Sequence, residues 1–283
     1  MFMSIWQSIL FGIIQGLTEF LPVSSSGHLA LMQELFNTDC GEGSLSFSVL
    51  LHLGTLCAVF IVYRRDIAEL IRAFFTLCAK LIKGQRKMSD FTLSERLVIF
   101  VIIATLPLIP AALLDNYIAV LSSYAWVVGI ILIINAVMLF FSDRLARQDL
   151  PPEEVKAKNA LVVGLVQMLA VLPGLSRSGS TITAGLSQGF EREYAVKFSF
   201  ILSIPAILGA CVLELPDFVS ETVSSGDTRQ LLIYLAGALA AMIVGIIAMK
   251  LLIFISRRSN FRMFSYYCAV VGALVIVWSL LGL

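Results

Sequence analysis

Two stretches of the chain decide its fold: Gly12-Ile-Ile-Gln15-Gly-Leu-Thr-Glu19-Phe-Leu-Pro22-Val-Ser24-Ser25-Ser26-Gly27-His28, and Gly164-Leu-Val-Gln167-Met-Leu-Ala-Val-Leu-Pro173-Gly-Leu-Ser176-Arg177-Ser178-Gly179-Ser-Thr181. In each, an apolar segment reaches Leu-Pro, gives way to serine and glycine, and then resumes as a shorter apolar piece. The likeness continues beyond the break, where Phe47-Ser-Val-Leu-Leu51 answers Phe198-Ser-Phe-Ile-Leu202. Matches in one order at a nearly constant offset mark an internal repeat.

The rest of the chain is as apolar as these segments. Of 283 residues, 59% are hydrophobic and 14% charged, against roughly 25% charged in a soluble domain. No polar domain interrupts the apolar runs, so one polytopic all-α membrane domain over residues 1–283 is expected. A net charge of +1 without a basic stripe gives no support to nucleic-acid binding. The five cysteines, Cys40, Cys57, Cys78, Cys211 and Cys268, show no paired spacing, and no thiol or zinc site is expected. The N-terminal apolar stretch lacks the basic region of a signal peptide and is read as part of the working protein.

Six runs have the length of a transmembrane helix: 47–63, 97–114, 124–141, 198–213, 231–255 and 263–283. The two broken segments, 5–23 and 160–175, read instead as re-entrant helical hairpins, because non-helical backbone survives at membrane depth only where protein or a wet cavity satisfies it. Residues 66–83 carry apolar side chains at helical spacing opposite a charged face and are expected to form an interfacial helix. Lysine and arginine crowd residues 64–96, 144–158 and 250–262, which places these connections in the cytoplasm. The connections 33–46, 115–123 and 214–230 are then external. The pattern closes as an inverted-topology repeat, with residues 1–150 as the first half and 151–283 as the second, each a hairpin plus three spans. In that architecture the paired breaks meet near the midplane around a common site.

The breaks carry the chemistry. Arg177 and Glu19 are charged groups at membrane depth, which are costly and read first as functional. The plainer reading is a buried ion pair tying the hairpins together. The segment from Ser176 to Thr181 opens a helix with hydroxyls, Gly179 and a guanidinium; free N–H groups at a helix start attract anions, and arginine offers bidentate bonds to phosphate oxygens. Its serine and glycine also read as a helix cap. Ser24, Ser25 and Ser26 with Gly27 bring hydroxyls beside His28. Either Ser25 attacks phosphorus with His28 as base, or His28 attacks directly. Gln15 and Glu19, four apart, share a helix face and suit a divalent cation. His52, alone in an apolar run, reads as a satisfied polar group.

These motifs resemble the undecaprenyl-diphosphate phosphatase family, associated with bacitracin resistance, and the resemblance covers essentially the whole chain. It implies hydrolysis of undecaprenyl diphosphate in the bacterial plasma membrane at a site open to the outer side, with Mg²⁺ or Ca²⁺ as cofactor. It places Glu19, Ser25, His28 and Arg177 on catalytic positions and Ser24, Ser176, Ser178 and Thr181 around the phosphates; the reading of the breaks adds Ser26, Gly27 and Gly179 to the phosphate contacts and Glu19 with Gln15 to the metal. Position 15 carries Gln where other members carry Glu. The partners expected are the prenyl diphosphate lipid, bilayer lipids and a second copy of the chain as a homodimer. Broken helices in inverted repeats also occur in transporters, so a carrier or flippase for an anionic prenyl lipid is the alternative; it would need no nucleophile.

Overall fold

The computed structural model describes residues 3–36, 45–85, 87–113, 115–146, 150–225, 228–257 and 261–281. Helices dominate: α1 (Ile5–Phe20), α2 (Ser25–Leu35), α3 (Leu45–Val62), α4 (Arg64–Ile82), α5 (Leu93–Thr105), α6 (Leu108–Ala112), α7 (Asp115–Ser122), α8 (Ala125–Leu145), α9 (Ala157–Leu169), α10 (Arg177–Ser187), α11 (Arg192–Ser225), α12 (Thr228–Ser256) and α13 (Arg262–Leu281). Among the described residues, five helices are long and apolar enough to cross a bilayer, and up to six if α3 and α4 together make one span. The chain is a multi-pass membrane protein. Large apolar side chains such as Leu274, Ile247, Leu239 and Ile134 stand more than half exposed, as lipid-facing residues do.

Both expected breaks are present. Residues 21–24 separate α1 from α2, and residues 170–176 separate α9 from α10. The helix pairings are reciprocal between the two: α1 packs chiefly on α12, and α9 on α5. Glycines permit both approaches. A Cβ on Gly12 would lie 2.1 Å from the Gly237 carbonyl oxygen, and one on Gly164 would lie 2.5 Å from that of Ala104. Without a hydrophobic drive between helices in lipid, close backbone packing of this kind is a main source of association. α8 pairs with α13 in the same way, where Gly129 and Gly272 each face the other's carbonyl.

The interfacial expectation for 66–83 corresponds to α4, which turns 87° away from α3. Ile67, Ala73 and Leu77 are buried, while Ile71, Phe74, Phe75 and Ile82 are exposed.

The structure differs from the expected spans in three places. The run 97–114 has the length of one span, Leu93–Ala111, but is divided into α5 and α6 at Leu106 and Pro107, since proline supplies no N–H to the helical ladder; Leu114 lies outside the described residues. The connection 115–123 holds a helix of its own, α7. The span 198–213 belongs to a helix of 34 residues, α11, which continues through Pro205 and Pro216 into the stretch expected as a loop. At its start α11 carries charges that find partners: Arg192 bonds Asp143 at 2.9 Å, and Lys197 pairs with Asp66. Arg257 joins Glu193 at 3.0 Å, and the Phe261 N–H donates to Asp143 at 3.1 Å. These contacts gather the start of α4 and the ends of α8 and α12 at the start of α11, and Arg96 donates to the Glu153 carbonyl at 2.7 Å, so segments from all three basic connections meet at one end of the bundle. Cys40 and most of the connection 33–46 fall outside the described residues.

Candidate active site

The two breaks are built alike. In the first, Ser24 has a left-handed φ of 71°, and its Oγ accepts from the Gly27 N–H at 3.3 Å and contacts Ser26 Oγ at 3.3 Å. In the second, Gly174 takes the positive φ of 98°. Ser176 Oγ there accepts from the Gly179 N–H at 3.1 Å and contacts Ser178 Oγ at 3.1 Å. Each serine caps the helix that follows it. The turns also touch: a Cβ on Gly27 would meet Gly174 Cα at 3.3 Å, and one on Gly179 would meet Pro22 Cβ at 3.0 Å. Ser178 Oγ donates to the Leu21 carbonyl at 3.4 Å. Thus α2 and α10 start side by side, and the first turn of each presents backbone N–H groups that the helix cannot satisfy.

Asn135 of α8 ties the turns together. Fully buried, it donates from Nδ2 to the Pro22 carbonyl at 3.1 Å and to Cys268 Sγ at 3.4 Å, and accepts at Oδ1 from the Ser176 N–H at 3.2 Å. One amide therefore satisfies a carbonyl of the first break and an N–H of the second. Asn135→Leu keeps the branching of the side chain and strands both groups, so a loss of about 1–3 kcal/mol is expected. Thermal melting in detergent checks this, and an unchanged melting temperature would show that the tie contributes nothing.

At the junction stands Glu19, buried at the end of α1. Its Oε2 accepts from Ser25 Oγ at 2.8 Å and from Gln15 Nε2 at 3.0 Å, and its Oε1 pairs with Arg177. A carboxylate beside the first break thus holds the hydroxyl that begins α2 and the guanidinium that begins α10. The ion pair of the plainer reading is there, but it includes a serine and leaves other guanidinium donors available.

His28 is placed differently. Its Nδ1 lies 2.7 Å from the Ser24 carbonyl and its Nε2 2.8 Å from Tyr267 Oη, so Ser25 meets Glu19 rather than the imidazole. Thr181 also turns away from the junction: its hydroxyl is buried, donating to the Arg177 carbonyl at 2.9 Å and lying 2.6 Å from Ser199 Oγ of α11. Ser26 is exposed at the start of α2. His52 Nδ1 is satisfied by the Ser48 carbonyl at 2.9 Å, as its isolation suggests.

Gln15 Oε1 is buried and has no hydrogen-bond partner. Beside a carboxylate, an unsatisfied amide oxygen is a fitting ligand for a hard cation. Among the described residues no group of three or more His, Cys, Asp or Glu side chains could hold a metal, so a cation at Gln15 and Glu19 would need substrate oxygens to complete its shell.

Two residues at the site escape a reading of the sequence motifs. Asn135 had a signal, a lone amide in an apolar run. Tyr267 had none, since a tyrosine near a helix end reads as an interfacial anchor.

The family model described as bacitracin resistance protein BacA matches residues 8–274. A protein of Methanobrevibacter smithii named undecaprenyl-diphosphatase is 42% identical over 281 residues, 98% of this chain and 99% of the relative. Proteins with the same name from Alkaliphilus metalliredigens and Methanosphaera stadtmanae are 40% and 36% identical, covering 99% and 98% of this chain and 100% and 99% of their own lengths. The model match and these near full-length identities place the chain in the BacA family of bacitracin resistance proteins.

Proposed function

We propose that this chain hydrolyses undecaprenyl diphosphate to undecaprenyl phosphate and inorganic phosphate, recycling a lipid carrier for cell-wall synthesis. The observation that carries the reading is the line Ser25, Glu19, Arg177 across the starts of α2 and α10. A binding site for an anionic lipid needs the cation and the helix starts. It does not need a serine hydroxyl held on a buried carboxylate, and this favours the enzyme over a carrier.

In the mechanism, the terminal phosphoryl group sits between the two helix starts, with Arg177 and the backbone N–H groups on its oxygens; stabilising that charge is the main source of catalysis in phosphoryl transfer. Ser25 Oγ attacks phosphorus and passes its proton to Glu19, the group it already touches. The bond from phosphorus to the bridging oxygen breaks, and undecaprenyl phosphate leaves. Water then attacks the phosphoserine and gives a proton to His28, the bond from phosphorus to Ser25 Oγ breaks as Glu19 returns its proton to that oxygen, and phosphate leaves. Ser24, Ser26, Gly27, Ser176, Ser178 and Gly179 shape the starts of the two helices, while Thr181 braces α10 from behind. A Mg²⁺ or Ca²⁺ held by Gln15 Oε1 and Glu19 would offset charge on the diphosphate oxygens. The prenyl tail stays among the exposed apolar faces of the spans.

The same reading takes the two broken segments as re-entrant hairpins and the halves 1–150 and 151–283 as an inverted repeat in the plasma membrane. Equivalent serine caps in both breaks and the reciprocal pairings of α1 with α12 and α9 with α5 support it. The basic end of the bundle is then cytoplasmic, and the site opens on the other side.

Phosphate release from a C55 prenyl diphosphate by the purified protein, with Mg²⁺, Ca²⁺ or a chelator, tests the function. Release is expected in the parent and loss of about 10³-fold or more in Ser25→Ala. A folded parent that binds the lipid without releasing phosphate would leave the carrier reading in its place.

A further inference from the structure

His28 is the member of the candidate site whose reactive atom is already taken. The Ser24 carbonyl oxygen, 2.7 Å from Nδ1, can only accept, so Nδ1 carries the ring proton and Nε2 keeps its lone pair. The bond at Nε2, 2.8 Å long, is then donated by the Tyr267 hydroxyl. The two rings lie nearly parallel, with centroids 5.6 Å apart and planes 7° from each other, so stacking reinforces the hydrogen bond. The base of this contact is fixed: Cys268, the next residue on α13, is buried against Asn135 and the Pro22 carbonyl. Tyr267 itself is 45% exposed.

We propose that Tyr267 is a positioning residue that caps His28. Its O–H holds the imidazole in the tautomer with a basic Nε2, and keeps that atom from reacting until the diphosphate arrives. A capped Nε2 can neither take a proton from water nor attack phosphorus, because both need the lone pair. Phosphate oxygens are stronger acceptors than a neutral imidazole. A diphosphate entering beside Arg177 therefore draws the phenol O–H to itself and frees Nε2 in the same movement. The base becomes available when there is substrate to act on. This inference rests on the phosphatase reading above, but its test does not depend on turnover.

Diethyl pyrocarbonate acylates an imidazole nitrogen that carries a lone pair, and the chain has two histidines, His28 and His52. Peptide mass spectrometry follows the two separately in the full-length protein in detergent, and His52 serves as the internal control. Tyr267→Phe keeps the ring and its stack and removes the O–H. It is expected to speed acylation of His28 about fivefold, the equivalent of one net hydrogen bond, and to leave His52 unchanged. Tyr267→Leu, which removes the ring as well, should speed His28 at least as much and also lower kcat for phosphate release, since the imidazole then loses its stack. Equal His28 rates in the parent and Tyr267→Phe would overturn the cap, and so would a parallel rise at His52, which would mean that the helices have loosened. A parent that releases no phosphate, with faster His28 acylation in Tyr267→Phe, would remove the phosphatase reading and leave the cap in place.

Discussion

Glu19→Gln is expected to slow phosphate release from undecaprenyl diphosphate by about 10³-fold, with little change in KM. Glu19 is the acceptor of the Ser25 hydroxyl, and a carboxamide in the same place keeps the shape but cannot take the proton. The substitution also removes the charge partner of Arg177, whose side chain is 19% exposed beside a carboxylate that is 5% exposed. Breaking a buried pair on one side costs about 3–5 kcal/mol; here partial exposure of the guanidinium makes the lower end the better guide. A second variant separates the two effects. Glu19→Gln combined with Arg177→Met leaves no unpaired charge, so its melting temperature in detergent should recover most of what the single variant loses. Its phosphate release should stay as low as that of Glu19→Gln or lower. If the double variant recovers activity along with stability, Glu19 and Arg177 are only a tie between hairpins.

Arg177→Lys is the second large effect, a fall of about 10²-fold in kcat. Arg177 gives one N–H to Glu19 and has others in a planar fork for two phosphate oxygens. An ammonium offers a compact charge and no fork, and beside Glu19 it is held by the carboxylate instead of spanning to the substrate. Steady-state rates in detergent with a C55 prenyl diphosphate measure the loss. A rate near the parent's would show that charge alone suffices at this position and would remove the bidentate contact from the mechanism.

The sequence made the breaks legible because proline, serine and glycine interrupt an apolar run at the same place in both copies of the motif. It made the charged pair legible for a related reason: Glu19 and Arg177 are too costly to bury without partners, and the structure joins them. Helix limits were less legible. α11 runs through Pro205 and Pro216, and its ion pairs at Arg192 and Lys197 let charged residues belong to a helix that hydropathy alone trims. The serine motif did not show which neighbour Ser25 would choose. Sequence proximity favoured His28, three residues on. But Ser25 and His28 both lie on α2, and the turn at Ser24 aims the hydroxyl back at α1 while the imidazole reaches α13. Asn135 and Tyr267 come from distant helices, and no local pattern ties them to the breaks.

The likeness of the two breaks has one further consequence. A chain with two matching turns has the frame for two sites, but the matching stops short of the working groups. Counting along from the capping serines Ser24 and Ser176, Ser25 stands opposite Arg177 and His28 opposite Ser180; counting back, Glu19 stands opposite Val171. One turn carries Ser25 and Glu19, the other Arg177, and for the proposed mechanism neither is complete by itself. On the proposed mechanism one lipid is handled per chain, at the seam between unlike copies of one motif, and a change in either copy is expected to disable the whole.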